Sequence, residues 1–252
     1  MKFANGIRKK MGFDMSGYKL VRMKRRVDFL MRKYNFDDYN EYLRILDKDP
    51  SRQKEFFDRI TINVTEFFRN PDKWKRFEYY ISEKIKKERG GIIWSAGCAS
   101  GEEPYSIAIV LEELRAPSSF RVLATDLDPN ILENAKRGIY EEKALVNVNS
   151  SLRSKYFKKL DDGRYQVLEK ARRRVTFKRH NMLSDPFEKE NIAILCRNVV
   201  IYFEMDAKEE LYKRFSRALK PGGILFVGGT ERIFNSRKIG LEPMEPFFYR
   251  KV

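Results

Sequence analysis

The sequence predicts an α/β fold: a mostly parallel, doubly wound sheet with a small β insertion, preceded by an all-helical region. Three observations carry that prediction. From Gly91 onward, short apolar runs alternate with amphipathic stretches, as strands joined by crossover helices do. Before Gly91, apolar residues recur at helical spacing and strand-like alternation is missing. Where the two patterns meet, IIWSAGCASGEEPYSI (residues 92–107) reads as a buried strand, a small-residue turn and the start of a helix. That is the first unit of a doubly wound sheet, and ligands sit at such a turn.

Each element follows in order. Leu20, Met23, Val27, Leu30, Met31 and Tyr34 form one helical seam, with Lys19, Arg22, Lys24, Arg25, Arg26, Arg32 and Lys33 around it. The basic surface is either a solvated face or a docking surface for an acidic helix. Asp37-Asp38 opens the next helix, with Tyr39, Tyr42, Leu43 and Leu46 inward. Asp49-Pro50 ends it, and Ser51 is expected to cap a third helix carrying Phe56, Phe57 and Ile60. A further helix with Trp74, Phe77, Tyr80, Ile81 and Ile85 runs to Arg89. Gly90-Gly91 breaks it, which places the domain boundary at 89/90.

Beyond it, strands are expected at residues 92–94, 121–125, 174–179, 192–196 and 224–227, with a tail over 246–250 returning as an antiparallel edge. Helices are expected from Glu102, over 130–137 behind the cap Asp128-Pro129, and over 206–220. Residues 155–174 break the alternation. Asp161-Asp162-Gly163 there suggests a hairpin, which is a lid, a docking tab or a plain surface feature.

The glycine turn decides the ligand class. It matches neither the dinucleotide fingerprint G-x-G-x-x-G nor the phosphate loop G-x-x-x-x-G-K-[ST]. Two carboxylates, Glu102 and Glu103, stand at the helix start; they either complement the helix dipole or attract a cation. A nucleotide-like ligand with positive charge and no phosphate is S-adenosyl-L-methionine (AdoMet). Asp126, at the end of the second strand, stands where an acid accepts ribose hydroxyls, or else caps a helix. Asn181 offers an amide to an adenine edge, or forms a turn. Arg197, Asn198 and Tyr202 close the fourth strand. A polar pair between apolar runs argues for a site there, with a core role for Tyr202 as the alternative. His180, the only histidine, receives no role. Cys98 and Cys196 read as core residues, and no metal cluster is expected.

Four separated blocks then carry a resemblance. NVTEFFR (63–69), WSAGCASGEEPYS (94–106), ATDLD (124–128) and CRNVVIYF (196–203) are similar to the chemotaxis receptor methyltransferase (CheR) family. Gly12, Tyr18-Lys19 and Arg25-Arg26 resemble the family pattern as well. The resemblance implies a class I AdoMet-dependent methyltransferase domain, Rossmann-like and bearing a β insertion, behind a helical N-terminal domain. It implies methylation of receptor glutamates. It places Asn63, Thr65, Arg69, Glu103, Asp126, Asn181, Met182, Arg197 and Asn198 against AdoMet, and it makes Arg69 and Tyr202 the residues that orient the reacting carboxylate. Arg22, Arg25 and Arg26 become substrate-docking residues.

The chain has 252 residues, 35% of them charged, and a net charge of +16. That excess calls for an anionic partner. Acidic methylation helices of chemoreceptors fit it. Nucleic acid is the rival, but the N-P-P-Y-like turn of amino-methylating enzymes is replaced by Arg197-Asn198-Val199-Val200. A non-catalytic AdoMet-binding adaptor is the other rival, and Arg69 and Tyr202 argue against it. The sequence has no apolar run of membrane-spanning length and no signal-peptide core, so a cytoplasmic location without membrane insertion is expected. Nothing in it calls for more than a monomer.

Overall fold

The computed structural model describes residues 2–13, 15–60 and 65–252. The chain divides into two units: residues 1–64 with 202–209, and residues 65–201 with 210–252.

The first unit contains α1 (Lys2–Met11), α2 (Leu20–Lys33), α3 (Tyr39–Lys48) and α4 (Pro50–Ile60). The seam of α2 is inward as its spacing requires: Met23, Val27, Leu30 and Met31 are buried. They share the interior with Ile7, Phe13, Tyr42, Leu46, Phe56 and Ile60. Asp38 caps α3, accepting from the amides of Asn40 and Glu41. The cap of α4 is a correction. Pro50 occupies the first helical position, so Asp49 accepts from the amides of Ser51 and Arg52, and Ser51 lies inside the helix. Residues 202–204 are tied into this unit. The Lys19 amide donates to the Tyr202 carbonyl at 2.9 Å, and the Glu204 amide donates to the Gly17 carbonyl at 2.9 Å.

The second unit opens with α5 (Pro71–Lys87), followed by β1 (Gly91–Ala96), α6 (Glu102–Glu113), β2 (Phe120–Asp126) and α7 (Pro129–Arg137). Next come β3 (Ile139–Tyr140), α8 (Ser150–Tyr156), β4 (Phe157–Lys159), β5 (Tyr165–Val167), α9 (Glu169–Arg172), β6 (Val175–Arg179) and β7 (Asn191–Cys196). The chain ends through α10 (Met205–Ala218), which this unit holds from Glu210 onward, β8 (Leu219–Val227), β9 (Leu241–Glu245) and β10 (Phe248–Lys251). Seven strands form one sheet in the order β6-β2-β1-β7-β8-β10-β9. The first five are mutually parallel, and β10 pairs antiparallel with both neighbours. This is the expected doubly wound α/β fold. The central strand β7 is buried at every residue, as its unbroken apolar run demands. Between β1 and β7 the strand order reverses, which opens a crevice beyond their carboxyl ends.

Three expectations need adjusting. The helix α5 belongs with the sheet unit although its sequence pattern groups it with the preceding helices. Trp74 and Phe77 pack on Phe226 at ring separations of 6.2 and 5.9 Å, so the contacts divide at 64/65 and not at 89/90. The tail strand is not the edge. β10 lies between β8 and β9, and β9, with Pro243 in it, takes the outer position that a proline tolerates. The insertion is broader than 155–174: the hairpin β4–β5 gains β3 as a third strand, giving the order β3-β5-β4.

Candidate active site

Part of the chain's left-handed backbone lies in the turns that line the crevice. The turn after β1 has Gly97 at φ 79°, Ala99 at φ 45° and Gly101 at φ 97°, and the turn after β7 has Asn198 at φ 60°. Phe68 and Asn70, at φ 51° and 63°, flank Arg69. Left-handed backbone at alanine and phenylalanine persists only where surrounding contacts hold it, and such residues cluster at functional sites. Glycine is required at 97: a Cβ there would lie 2.6 Å from Val199 Cγ2.

The contacts that hold these turns are specific. The amides of Gly97 and Cys98 both donate to the Thr125 carbonyl, at 2.8 and 2.9 Å. Asp126 accepts from the Ala99 amide at 2.9 Å and from the Asp128 amide at 3.1 Å, so one carboxylate orders the turns after both β1 and β2. Burial raises the Asp126 pKa, while the amides of Asp128 and Ala99 oppose the rise. Asp128 caps α7 through the Asn130 amide, leaving Asp126 to the crevice.

Glu102 and Glu103, adjacent in sequence, separate in space. Glu103 accepts from Ser95 Oγ at 2.8 Å and faces the Arg197 guanidinium at 3.5 Å. Burial raises its pKa; Arg197 first, then Ser95 and Arg69, pull it back. Glu102 turns away, only 5% exposed, and accepts from Ser100 Oγ at 2.7 Å. Burial raises its pKa from 4.5 to about 7. The folded state therefore holds this proton more tightly than the unfolded chain does. Its stabilising contribution is complete below about pH 4.5 and disappears as pH rises through about 7. At ~1.4 kcal/mol per pKa unit this is on the order of 3 kcal/mol. Glu102→Gln is expected to exceed the wild type in stability at alkaline pH by a comparable amount, and to match it below the unfolded pKa. Urea denaturation across the acid-to-alkaline range checks this, and superimposable profiles would contradict it.

Arg197 joins the two strand ends to the Arg69 segment. Its Nη2 donates to the Arg69 carbonyl and to Asn70 Oδ1, both at 2.8 Å, and its guanidinium lies 4.5 Å from the Phe226 ring. The residue is 9% exposed, and its buried Nε has no hydrogen-bond partner among the described residues. Burial lowers its pKa, and the Glu103 carboxylate offsets only part of the fall. Phe68 is anchored separately, its amide donating to Ser106 Oγ at 3.0 Å.

Of the residues singled out from sequence, the sheet unit thus brings together Arg69, Glu103, Asp126, Arg197 and Asn198 around the ends of β1, β2 and β7. Met182 is buried near Gly97. Asn181 forms the turn that competed with its ligand reading: its Oδ1 accepts the Leu183 amide at 3.0 Å, which leaves the NH₂ side of the amide for other contacts. Thr65 lies half-buried in the segment leading to Arg69. Asn63 lies outside the described residues. His180 sits between aromatic rings, 5.5 Å each from Trp94 and Phe187, and burial lowers its pKa. Cys98 and Cys196 are buried free thiols.

In the helical unit, Arg22 and Arg25 are exposed on α2. Arg26 differs from the docking residue expected. It is half-buried, donates to the Ile60 carbonyl and stacks 5.1 Å from the Tyr202 ring. Helical geometry explains the difference: Arg26 is three residues from Met23 and four from Leu30, which brings it beside the buried seam. Residues that sequence reading missed are Ser95, Ser106, Asn70 and Glu231. Asn70 and Glu231 meet their partners across more than thirty residues of chain, and no local pattern marks them; Ser95 and Ser106 lie inside the block 94–106, but their types alone do not disclose the bonds to Glu103 and to the Phe68 amide.

The fitness of this crevice for a phosphate-free nucleoside cation is supported by its donor set. Acidic side chains stand at the start of α6 and the end of β2, and no lysine follows the glycine turn. Two family models match the chain: the CheR methyltransferase SAM binding domain over residues 63–246, and the CheR methyltransferase all-alpha domain over residues 1–61. A chemotaxis protein methyltransferase of Listeria monocytogenes is 38% identical over 99% of this chain and 95% of its own. One from Borreliella burgdorferi is 35% identical over 95% of this chain and 89% of its own. One from Salmonella typhimurium is 33% identical over 81% of this chain and 73% of its own.

Proposed function

Because the chain belongs to the CheR methyltransferase family, whose members use AdoMet in chemotaxis, we propose that it methylates glutamate side chains of bacterial chemoreceptors, forming methyl esters. The observation that carries this reading is the meeting of Asp126, Glu103, Arg197 and the strained turns at Ala99 and Asn198 beyond the reversal of strand order. Asp126 is assigned to the ribose hydroxyls, Asn181 and Met182 to the adenine, and Glu103 to the cationic end of the cofactor. Asn63, Thr65 and Asn198 complete the contacts on the family resemblance. Bound AdoMet supplies a methyl group already activated by its positive sulfur.

The chain's own residues need not provide a base. A glutamate side chain has a reference pKa of about 4.3 and is ionised at neutral pH. Its oxygen forms the new O–CH₃ bond as the S–CH₃ bond breaks, and sulfur keeps the electron pair. The opposite charges of carboxylate and sulfonium cancel along the way. Tight pairing of the carboxylate with an arginine would stabilise the ground state more than the transition state. Arg69 and Tyr202 are therefore assigned to aiming the carboxylate, not to binding it strongly.

The acidic partner is assigned to the exposed face of α2. Since Arg26 is engaged with Ile60 and Tyr202, Arg22 and Arg25 carry the long-range attraction. Arg22→Glu/Arg25→Glu is expected to raise the receptor KM at least ~10-fold at low salt and to flatten its salt dependence, with AdoMet affinity unchanged. Steady-state methylation over a salt series, with calorimetry of AdoMet, tests this. An unchanged KM would place the docking surface elsewhere, and a matching loss of AdoMet binding would point to a folding defect.

A further inference from the structure

One buried acid has no part in the chemistry above. Glu231 lies in the loop after β8 and is 4% exposed. Its Oε2 accepts from the Asn198 amide at 2.8 Å and from the Gly228 amide at 2.7 Å. Asn198 and Gly228 are near neighbours of Cys196 and Val227, the last matched pair of β7 and β8. One carboxylate oxygen thus bridges two strands just where they leave the sheet. Burial raises the Glu231 pKa, and the amides of Asn198, Gly228, Ile201 and Val200 work against the rise. The bridge also dictates a glycine. A Cβ on Gly228 would lie 2.5 Å from Glu231 Oε2 and 2.8 Å from the Asn198 nitrogen, so no side chain fits there without opening the contact.

The bridge acts on the strained part of the site. Asn198 holds φ at 60°, a conformation that asparagine tolerates only at some cost, and its amide hydrogen bond runs to Glu231. The neighbouring residue is Arg197, whose guanidinium reaches the Arg69 carbonyl, Asn70 and Glu103. Loss of the carboxylate would free the turn that sets both the direction of Asn198 and the root of Arg197. We propose that Glu231 is a positioning residue for methyl transfer, fixing through the Asn198 amide the backbone turn from which Arg197 and Asn198 serve the site. The inference rests on the receptor-methylating reading given above. Glu231 is buried and acts through backbone amides, so its effect is on alignment. Alignment errors of a fraction of an ångström reduce turnover more than they reduce substrate affinity.

The test uses the full chain, AdoMet and a chemoreceptor that the wild type methylates. Thermal midpoint, calorimetric AdoMet affinity, kcat and receptor KM are measured for Glu231→Ala, Glu231→Gln and Gly228→Ala. The Ala variant at 231 is expected to lose at least ~10-fold in kcat, with receptor KM within ~3-fold of wild type. The Gln variant retains an oxygen that can accept from both amides, and it is expected to recover most of that loss. If Glu231→Ala does not fold, Gly228→Ala decides: it wedges the bridge open with Glu231 still present, and the same kcat-selective loss is expected. A folded Ala variant at either position with kcat within ~2-fold of wild type overturns the inference. So does a folded Gln variant no better than Ala, because the effect would then not follow the hydrogen bonds. A wild type that binds AdoMet and leaves receptors unmodified sinks the functional reading itself, before any variant is compared.

Discussion

Arg197→Leu is expected to destabilise the protein by roughly 3–5 kcal/mol, the usual consequence of removing one partner from a buried charge pair. The arginine side chain is 4% exposed and its Glu103 partner 14%. Leucine would keep apolar contact with Phe226 but would take the Arg197 donor from Asn70 Oδ1 and the Arg197 charge from Glu103. The Arg69 carbonyl would lose one of its donors and keep the Trp74 indole, at 3.1 Å. The Glu103 pKa, already raised by burial, would then rise further, so the loss should be greatest at neutral and alkaline pH. Adding Glu103→Gln to Arg197→Leu should recover at least ~1 kcal/mol by removing the orphaned charge. Urea denaturation of the single and double variants measures this directly. A single variant within ~0.5 kcal/mol of wild type would mean that Arg197 is not the strut described.

Arg69→Ala is expected to lower kcat by roughly 10- to 100-fold with little change in receptor KM, because aiming is needed only as the transition state forms. Arg69 stands close enough to Glu103 and Arg197 for its charge to lower the pKa of each. Its backbone is fixed on both sides by the left-handed residues Phe68 and Asn70. Tyr202→Phe removes a single hydroxyl and is expected to have a smaller effect of the same kind. Steady-state kinetics with a fixed receptor decide the matter. A rise in KM alone, with kcat untouched, would assign Arg69 to ground-state binding and contradict the proposal.

Much of the fold was legible because its signals are local. The unbroken apolar run of β7, the glycine turn before α6 and the caps Asp38 and Asp128 each identify themselves within a few residues. The expected α/β sheet and its helical preface follow from those signals alone. The exceptions have tertiary causes. Nothing local tells α5 to leave the helical group; Phe226, far along the chain, provides the surface that Trp74 and Phe77 cover, and Phe248 meets Tyr80. β9 is short and contains a proline, so its pattern is weak, and the position of β10 between β8 and β9 could not be read from the tail.

At the site, residue types could be read but their partners could not. Glu102 and Glu103 look equivalent in sequence, yet one helical step of about 100° sends one to Ser100 and the other to Arg197. Arg26 looks like its basic neighbours on α2 until the Tyr202 ring and the Ile60 carbonyl are seen beside it. Glu231 carries no periodic or motif signal at all; its importance lies in amides that the chain brings to it from elsewhere.

The most direct measurement is the fate of a labelled methyl group. The purified protein would be incubated with methyl-labelled AdoMet and chemoreceptor cytoplasmic fragments, then treated with mild alkali. The account predicts receptor-dependent label released as methanol, as a glutamate methyl ester requires, and no release from a receptor whose target glutamates are replaced by alanine. Label that stays on the receptor through alkali, or that appears on nucleic acid in place of receptor, would contradict it.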